Sequence, residues 1–356
     1  MKRIIILRPA LKQSKGGVGN YYDIVEKLTE LIDFFRIGKR SCMKNKLIQL
    51  QSIIYYITDY IRFIFIVPRY SLVVVNPSMT KNCLYRDSLY IRIAKIFHKK
   101  VVVFWRGFNH LYFNSVVRDK YKKLLNNTFF QANHTIVLGE NIYKSLHEIG
   151  CNTPYTVSTT ILTSDLLLDS SKQFKPGKFT ILFLARLEKD KGIMEALDCY
   201  KIVKRDYPFV NMLIAGFGNA FTDVQSRIDN ENISDVQLLG NVFGESKYNA
   251  YHDADMYLFP SYYEGMPNSV LEAMGMGLPV VTTKVGGIPD FFEDEKMGYI
   301  INDCNPEKFA RAIYSLIEND QLEQISEYNR NYAEQHFLDC IVVSKLENCL
   351  ISISES

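Results

Sequence analysis

The sequence lacks the short patterns that would tie it to a metal, a nucleic acid or a dinucleotide. Its seven cysteines include no C-x-x-C pair, so neither a structural zinc site nor a disulfide framework is indicated. No helix-turn-helix, zinc-finger or RRM pattern is present, and nucleic acid is not an expected partner. No signal peptide is recognised either, and a reducing cytoplasm is the expected location.

Each half of the chain is poor in charge of one sign. Residues 1–165 contain 25 Lys and Arg against only 10 Asp and Glu, a net +15. Residues 166–356 contain 17 Lys and Arg against 29 Asp and Glu, a net −12. The overall net charge of +3 therefore conceals a strongly dipolar chain. With 356 residues, 47% of them hydrophobic, the chain is long enough for about two domains with full cores.

The most informative stretch places two carboxylates around a turn that opens a helix. Residues Phe259–Phe292 read FPSYYEGMPNSVLEAMGMGLPVVTTKVGGIPDFF, which predicts a strand, a turn at Gly265–Asn268, a helix capped by Asn268 or Ser269, and a second strand. Glu264 precedes the helix and Glu272 lies about one turn into it. A helix N-terminus can hold a phosphate without a metal, and a carboxylate beside it can accept hydrogen bonds from sugar hydroxyls.

This E-x7-E pair, followed by GGIPD, closely resembles the donor-binding core of the retaining glycosyltransferases of family four, which have the GT-B fold. The resemblance implies that Glu264 orients the donor sugar and stabilises charge at its ring, and that Glu272 holds the ribose of the nucleotide. The residues between them would bind the donor around its diphosphate: Gly265, Met266, Pro267, Asn268 and Ser269.

Three other strand ends fall in the family's order. FTILFLARLEKDKGI places Arg186 and Lys191 where the family clamps the donor diphosphate, and fixed cations stabilise the charge of a leaving diphosphate. VNMLIAGFGNA resembles the family's strand-terminal G-x-G near the nucleotide, and VQLLGNV ends where family members hold the nucleobase. These matches nominate Gly216, Gly218, Asn241 and Val242 as substrate-binding residues.

The first strand, IIIL, is followed by Gly16-Gly17-Val18-Gly19 and a helix. The resemblance implies that Gly17 and Gly19 let the backbone approach the donor phosphate across a cleft between domains. An NAD site is not predicted, because the glycines do not form G-x-G-x-x-G and no acid follows at the required spacing. After VVVFW, where many family members carry His-Gly, this sequence has Arg106-Gly107, with His110 three residues beyond. Arg106 is interpreted as a ligand for a phosphate or an acceptor hydroxyl.

Asp253-Ala254-Asp255 fits the Asp-x-Asp pattern of metal-dependent glycosyltransferases. It also lies at a helix-to-strand junction, where the family has a structural Ala-Asp, and the structural interpretation is preferred. No metal and no cofactor are expected, since the nucleotide sugar, UDP- or GDP-linked, is a substrate.

The segment Arg36–Tyr70 joins a cationic run to an aromatic and aliphatic stretch. Polar residues interrupt the apolar stretch, so a spanning helix is not predicted. Two interpretations stay open: an amphipathic helix at an anionic membrane surface, with Lys39, Arg40, Lys44 and Lys46 facing headgroups, or a helix packed on the first domain.

The fold class predicted is α/β, GT-B, with two Rossmann-like domains whose parallel sheets face each other across a cleft. Strands are expected near residues 3–8, 71–76, 101–105 and 135–138. The expected domains are an acceptor-side domain 1–168, a linker 169–178, a donor-binding domain 179–333 and a helix 334–356 that packs back on the first domain.

The expected function is a retaining, metal-independent hexosyltransferase that moves a sugar from a nucleotide diphosphate to a glycan or polyprenyl-diphosphate-linked acceptor. Bacterial surface polysaccharide assembly, in capsule or O-antigen, is the expected process, with the enzyme cytoplasmic and peripheral on the inner face of the plasma membrane. The alternatives are a sugar-nucleotide epimerase of the same fold and a non-catalytic sugar-nucleotide-binding protein.

Overall fold

The structure is a computed structural model that describes residues 4–10, 17–38, 46–167, 172, 174–175 and 177–356. These residues form two compact units. One consists of Met1–Thr160 together with Asp339–Ser356, and the other is Ile161–Leu338. Each contains a six-stranded sheet in which all pairings are parallel.

The sheet of the first unit has the strand order β2-β1-β3-β4-β5-β6. Its strands are β1 Ile4–Pro9, β2 Ile32–Ile37, β3 Leu72–Val75, β4 Lys100–Trp105, β5 His134–Val137 and β6 Tyr155–Val157. The helices of this unit are α1 Gly17–Leu28, α2 Lys46–Ile66, α3 Lys81–Ile96, α4 His110–Tyr112, α5 Arg118–Lys120, α6 Lys122–Asn126, α7 Glu140–Glu148 and α14 Asp339–Glu355.

The sheet of the second unit has the order β12-β11-β10-β7-β8-β9. Its strands are β7 Phe179–Leu184, β8 Val210–Ala215, β9 Val236–Gly240, β10 Met256–Phe259, β11 Val280–Thr283 and β12 Gly298–Ile301. Its helices are α8 Ile193–Asp206, α9 Phe221–Asn230, α10 Glu245–His252, α11 Asn268–Gly275, α12 Pro306–Glu318 and α13 Leu322–His336.

The central strands are apolar on both faces because helices cover both sides of a parallel sheet. β3 and β10 are buried along their whole length, as is β4 after its first residue. The four strands expected in the first unit are present within one residue at each end. Two more were not predicted: β2 alternates buried and exposed residues and contains charges, and β6 has only three residues.

The C-terminal segment returns to the first unit. Instead of one continuous helix, α13 ends at His336 and α14 begins at Asp339, so the change of unit occurs between them. Thr29 donates a hydrogen bond to Glu347 of α14, and Lys100 Nζ donates to the Ile353 carbonyl oxygen at 3.0 Å. The two units meet in sequence at residues 160/161 and 338/339, where the sequence prediction placed boundaries at 168/169 and 333/334. Residues 169–171, 173 and 176 of the expected linker lie outside the described residues.

Helix α2 occupies the segment for which two interpretations were open. Lys39, Arg40 and Lys44 lie outside the described residues, and Lys46 is the first residue of α2. In the part of the chain that the structure describes, no helix combines the length and apolarity needed to cross a bilayer.

Candidate functional site

Four neighbouring strand ends of the second unit carry the residues predicted to bind the donor. In the order β10-β7-β8-β9, the strands lie side by side and all run in the same direction. The turns that follow them therefore leave from one edge of the sheet. In parallel α/β sheets this carboxyl edge is where ligands bind.

Lys191 and Glu264 form an ion pair that joins the turn after β7 to the turn after β10. Lys191 Nζ lies 2.6 Å from Glu264 Oε1 and also donates to the Tyr263 carbonyl oxygen at 3.2 Å. Ser261 Oγ donates to the same carboxylate oxygen at 2.9 Å. The side chains of Lys191 and Glu264 are only 13% and 12% exposed, so the pair is partly shielded from water and less screened than a surface pair.

Two glycines allow these turns to approach each other. Gly192 ends the Lys191 turn at φ 74°, where a Cβ atom would stand 1.9 Å from the Pro260 carbonyl oxygen. Gly286, in the GGIPD segment, has φ 59°, and a Cβ atom there would stand 2.3 Å from the Gly265 carbonyl oxygen. Gly287 N donates to that same oxygen at 2.6 Å. The GGIPD segment therefore fixes the backbone immediately after Glu264.

Glu272 lies in α11 and is held by two groups of α10. Lys247 Nζ lies 2.6 Å from Oε1, and the Tyr251 hydroxyl donates to Oε2 at 2.9 Å. Burial, followed by the charge of Glu272, raises the pKa of Tyr251 well above its usual value, so this hydroxyl stays a donor. Both carboxylate oxygens thus have a partner, and the side chain is 12% exposed.

Helix α11 begins at Asn268, whereas the sequence predicted Asn268 or Ser269 as the N-cap residue that precedes the helix. Pro267 is the N-cap residue and has extended backbone angles, and no side chain among the described residues caps the helix. Ser269 Oγ instead accepts a hydrogen bond from the Tyr257 hydroxyl at 2.7 Å. An uncapped N-terminus leaves backbone N–H groups available to an anion. Gly265 and Met266 lie in the turn that leads into it.

The remaining predicted donor residues follow β7, β8 and β9. Arg186 is exposed, two residues after β7. Gly216 and Gly218 follow β8, and Gly216 N donates to the Gly240 carbonyl oxygen at 2.7 Å. Asn241 and Val242 come directly after β9, which ends at Gly240 rather than at these two residues.

Asp255 has a structural partner. Its carboxylate accepts a hydrogen bond from Thr180 N at 2.7 Å, which ties the start of β10 to β7. Burial raises the pKa of Asp255. Asp253, by contrast, is exposed beside His252.

In the first unit, the predicted residues also lie near the carboxyl edge of a sheet. α1 begins at Gly17, so Gly17 and Gly19 belong to its first turn instead of a turn ahead of it. Arg106 directly follows β4 and is 6% exposed. His110 is the first residue of the short helix α4, and burial lowers its pKa.

Sequence reasoning missed the partners of both glutamates. Ser261, Lys247 and Tyr251 are joined to them by the fold and follow no motif. The one available signal was the spacing of Lys247 and Tyr251, which places them on one face of a helix directly before β10. Lys247 also lines an open pocket of about 570 Å³ together with Thr163, Leu166, Gly244 and Tyr248.

The candidate donor-site residues of the second unit fall within a region that matches a known family. Residues 167–333 match the model of the family Glycosyl transferases group 1. This group 1 region lies wholly within the second unit and includes all four strand ends of the candidate donor site.

Two curated relatives of the chain have names from bacterial polysaccharide biosynthesis. The chain is 28% identical over 183 residues to the putative colanic acid biosynthesis glycosyltransferase WcaL of Escherichia coli, covering 48% of this chain and 44% of the relative. It is 28% identical over 177 residues to the capsular polysaccharide biosynthesis glycosyltransferase CapM of Staphylococcus aureus, covering 48% and 45%. The chain thus spans about half the length of the curated relatives it matches.

Solved structures extend the likeness to both units. Anabaena HepE in complex with UDP and glucose aligns with a TM-score of 0.73, covering 99% of this chain and all of that one at 16% identity. A glycosyltransferase from Rickettsia africae aligns with a TM-score of 0.73, covering 99% and 98% at 16% identity. With the two parallel sheets, these alignments confirm the prediction of the GT-B fold class with two Rossmann-like domains.

Proposed function

We propose that this chain transfers a sugar from a nucleotide diphosphate donor to an acceptor in bacterial surface polysaccharide assembly, with retention of configuration and without a metal. The observation that carries the proposal is the pair of shielded glutamates, each held by a lysine, at one sheet edge inside the group 1 region. The names of the curated relatives support the polysaccharide context.

The donor chemistry follows from the charges at this edge. As the bond between sugar and diphosphate breaks, negative charge grows on the diphosphate and positive charge grows at the sugar ring. Lys191, Arg186 and the uncapped N-terminus of α11 would stabilise the negative charge on the diphosphate. Glu264, held by Lys191 and Ser261, would stabilise the positive charge at the sugar ring. No other cation is required in this mechanism.

Glu272 is assigned to the nucleotide. Its carboxylate already accepts from Lys247 and Tyr251, and a carboxylate has about four acceptor positions for these two donors. The remaining positions would accept hydrogen bonds from the two ribose hydroxyls. Anabaena HepE was solved with UDP and glucose, which supports a UDP-linked donor as the first to test.

The acceptor is proposed to be lipid-linked because α2 presents an apolar face outward. Described residues Ile54, Ile57, Ile61, Ile64 and Phe65 are 39–74% exposed and recur on one side of the helix. On the opposite side, Phe63 is fully buried, and its ring lies 5.1 Å from that of Tyr90 in α3. Residues 1–165 carry a net charge of +15, and an exposed apolar face within so basic a segment suits an anionic membrane surface.

The decisive experiment incubates the full chain with UDP- and GDP-linked sugars, with and without a prenyl-diphosphate-linked acceptor. We expect a new glycosidic product only when donor and acceptor are both present, in EDTA, with the donor's anomeric configuration retained by NMR. A changed nucleotide sugar formed from donor alone would point to an epimerase. Donor binding without any product would point to a binding protein.

A further inference from the structure

Arg106 is a buried cation at the carboxyl edge of the first unit's sheet. It directly follows β4 and is 6% exposed. Its guanidinium carbon lies 3.5 Å from the centre of the Tyr21 ring and 4.9 Å from that of Phe104. A guanidinium over a ring face is attracted by the ring without using its N–H groups as hydrogen-bond donors.

Two of the N–H-bearing nitrogens of Arg106 make no hydrogen bond of ordinary geometry with the described residues. Nε and Nη1 of Arg106 are buried and have no hydrogen-bond partner among the described residues. Arg8 of β1 also has a buried Nε without a partner among the described residues, but it differs from Arg106 because its other two nitrogens are paired with Asp23 and Glu26. Arg86 of α3 is paired with Asp87. A buried charge without an acceptor is costly, so the missing acceptor calls for an explanation.

The polar neighbours of Arg106 are neutral hydroxyls. The Tyr21 hydroxyl is buried without a hydrogen bond of ordinary geometry, although Arg106 and Ser158 lie near enough to influence it. Burial raises the pKa of Tyr21, so the hydroxyl keeps its proton. The Tyr22 ring also lies beside Arg106, 5.9 Å from its guanidinium carbon. A cation beside neutral hydroxyls suits an anionic ligand.

We propose that Arg106 binds a phosphoryl group of the acceptor, with the Tyr21 hydroxyl as a second donor. This inference rests on the proposed function and deepens it by naming the chemical class of the acceptor. A guanidinium presents two parallel N–H donors at the spacing of two phosphoryl oxygens, and the resulting bond is charge-assisted. The donor diphosphate is assigned mainly to Lys191, Arg186 and α11 in the second unit, and we assign the phosphate at Arg106 to the acceptor.

Calorimetric titration of the full chain at saturating UDP tests the proposal, because UDP then occupies the donor site. The probes are a short prenyl diphosphate and inorganic phosphate. We expect Arg106→Gln to weaken prenyl diphosphate binding by about tenfold or more and to leave the affinity for UDP unchanged. Weaker binding of both probes would show that the phosphoryl group itself is recognised. Weaker binding of the prenyl diphosphate alone would show that the ligand is lipid-linked. Lys120→Gln, which removes an exposed charge from the same unit, should change neither.

Thermal unfolding separates a ligand site from a structural arginine. If Arg106 is a ligand-binding residue, Arg106→Met should raise the melting temperature of the free protein by about 2 to 4 °C, because it removes an unpaired buried charge. A lowered melting temperature with unchanged prenyl diphosphate binding would overturn the proposal, as would a loss of UDP affinity in Arg106→Gln. These titrations need no turnover. The titrations can therefore contradict phosphate binding by Arg106 while sugar transfer is confirmed. They can equally confirm phosphate binding by Arg106 when no sugar transfer is observed.

Discussion

The two sheets treat charge at their carboxyl edges in opposite ways. In the second unit, Glu264 and Glu272 are each about 12% exposed and each is paired with a lysine. In the first unit, Arg106 is buried among aromatic rings with two donors unsatisfied by the described residues. In the second unit, the two carboxylates are therefore already oriented by their hydrogen-bond and ion-pair partners. The first edge presents a cation with two donors that no described residue accepts from, so the two edges suit different ligands.

The difference also shows in the sequence. In the second unit, most of the candidate site lies in one contiguous motif, because both glutamates and GGIPD lie within Phe259–Phe292. The first unit has no such string, and Arg106 stands where the resemblance to family four predicted a histidine. Substitution of one member of each charged cluster tests this difference between the two units.

The largest effect is expected at the Lys191–Glu264 pair. Lys191→Ala should lower turnover by about 100-fold or more, because it removes a cation assigned to the departing diphosphate and leaves Glu264 without its ion-pair partner. Steady-state kinetics with saturating donor measures this. Lys189→Ala is the matched control, because Lys189 lies on the same turn and is 76% exposed. Near-normal turnover in Lys191→Ala would reduce the pair to a structural contact.

A smaller effect, on binding more than on chemistry, is expected at Glu272. Glu272→Gln should weaken nucleoside diphosphate binding by about tenfold, since hydrogen bonds to a charged group contribute about 1.5 to 3 kcal/mol. Glu264→Gln should instead lower turnover with little change in that affinity. Calorimetry with UDP and kinetics on both variants separate the two roles, with the exposed Glu327→Gln as control. The opposite pattern would require the two assignments to be exchanged.

The fold was predictable because its signals are local. Apolar runs such as IIIL and LVVV mark buried parallel strands, and alternation with helices gives the fold class. β2 was missed because Asp33 and Arg36 break its apolar pattern at the edge of the sheet. Its identity depends on pairing with β1, and no local pattern reveals that pairing.

The site was predictable only in part, for the same reason. Glu264, Glu272 and Lys191 stand in motifs, and the structure brings Lys191 onto Glu264 across 73 residues of sequence. Lys247, Tyr251 and Ser261 carry no motif and become visible only when the chain is folded. The unpaired state of Arg106 is likewise a property of its surroundings, because its sequence neighbours do not indicate which side chains pack around it. The catalytic and binding roles stay predictions until they are measured.

A modest effect is expected from the apolar face of α2. Phe65 is 74% exposed, and Phe65→Ser should lower sedimentation with vesicles of anionic lipid by roughly 3- to 10-fold, because part of the aromatic side chain would no longer enter the interface. Binding should also fall with salt, since surface attraction is screened over about 10 Å at 0.1 M. Phe209→Ser, an exposed phenylalanine of the second unit, should leave sedimentation unchanged. No vesicle binding by the wild-type chain at low salt would move the proposal to a soluble acceptor.

The smallest effect is expected at the Asp-x-Asp sequence. Asp255 accepts a hydrogen bond from Thr180 N, and an asparagine oxygen can accept the same bond, so Asp255→Asn should keep the junction of β7 and β10 intact. Because burial raises the pKa of Asp255, its charged form is already disfavoured, and removing the charge should cost little stability. Asp253→Asn alters only an exposed carboxylate. Turnover of both variants should stay within about twofold of wild type, with or without EDTA, because the leaving diphosphate is assigned to cations of the protein. If turnover falls on chelation and returns with Mg²⁺ or Mn²⁺, the two aspartates hold a metal and the charge assignment at this sheet edge must be revised.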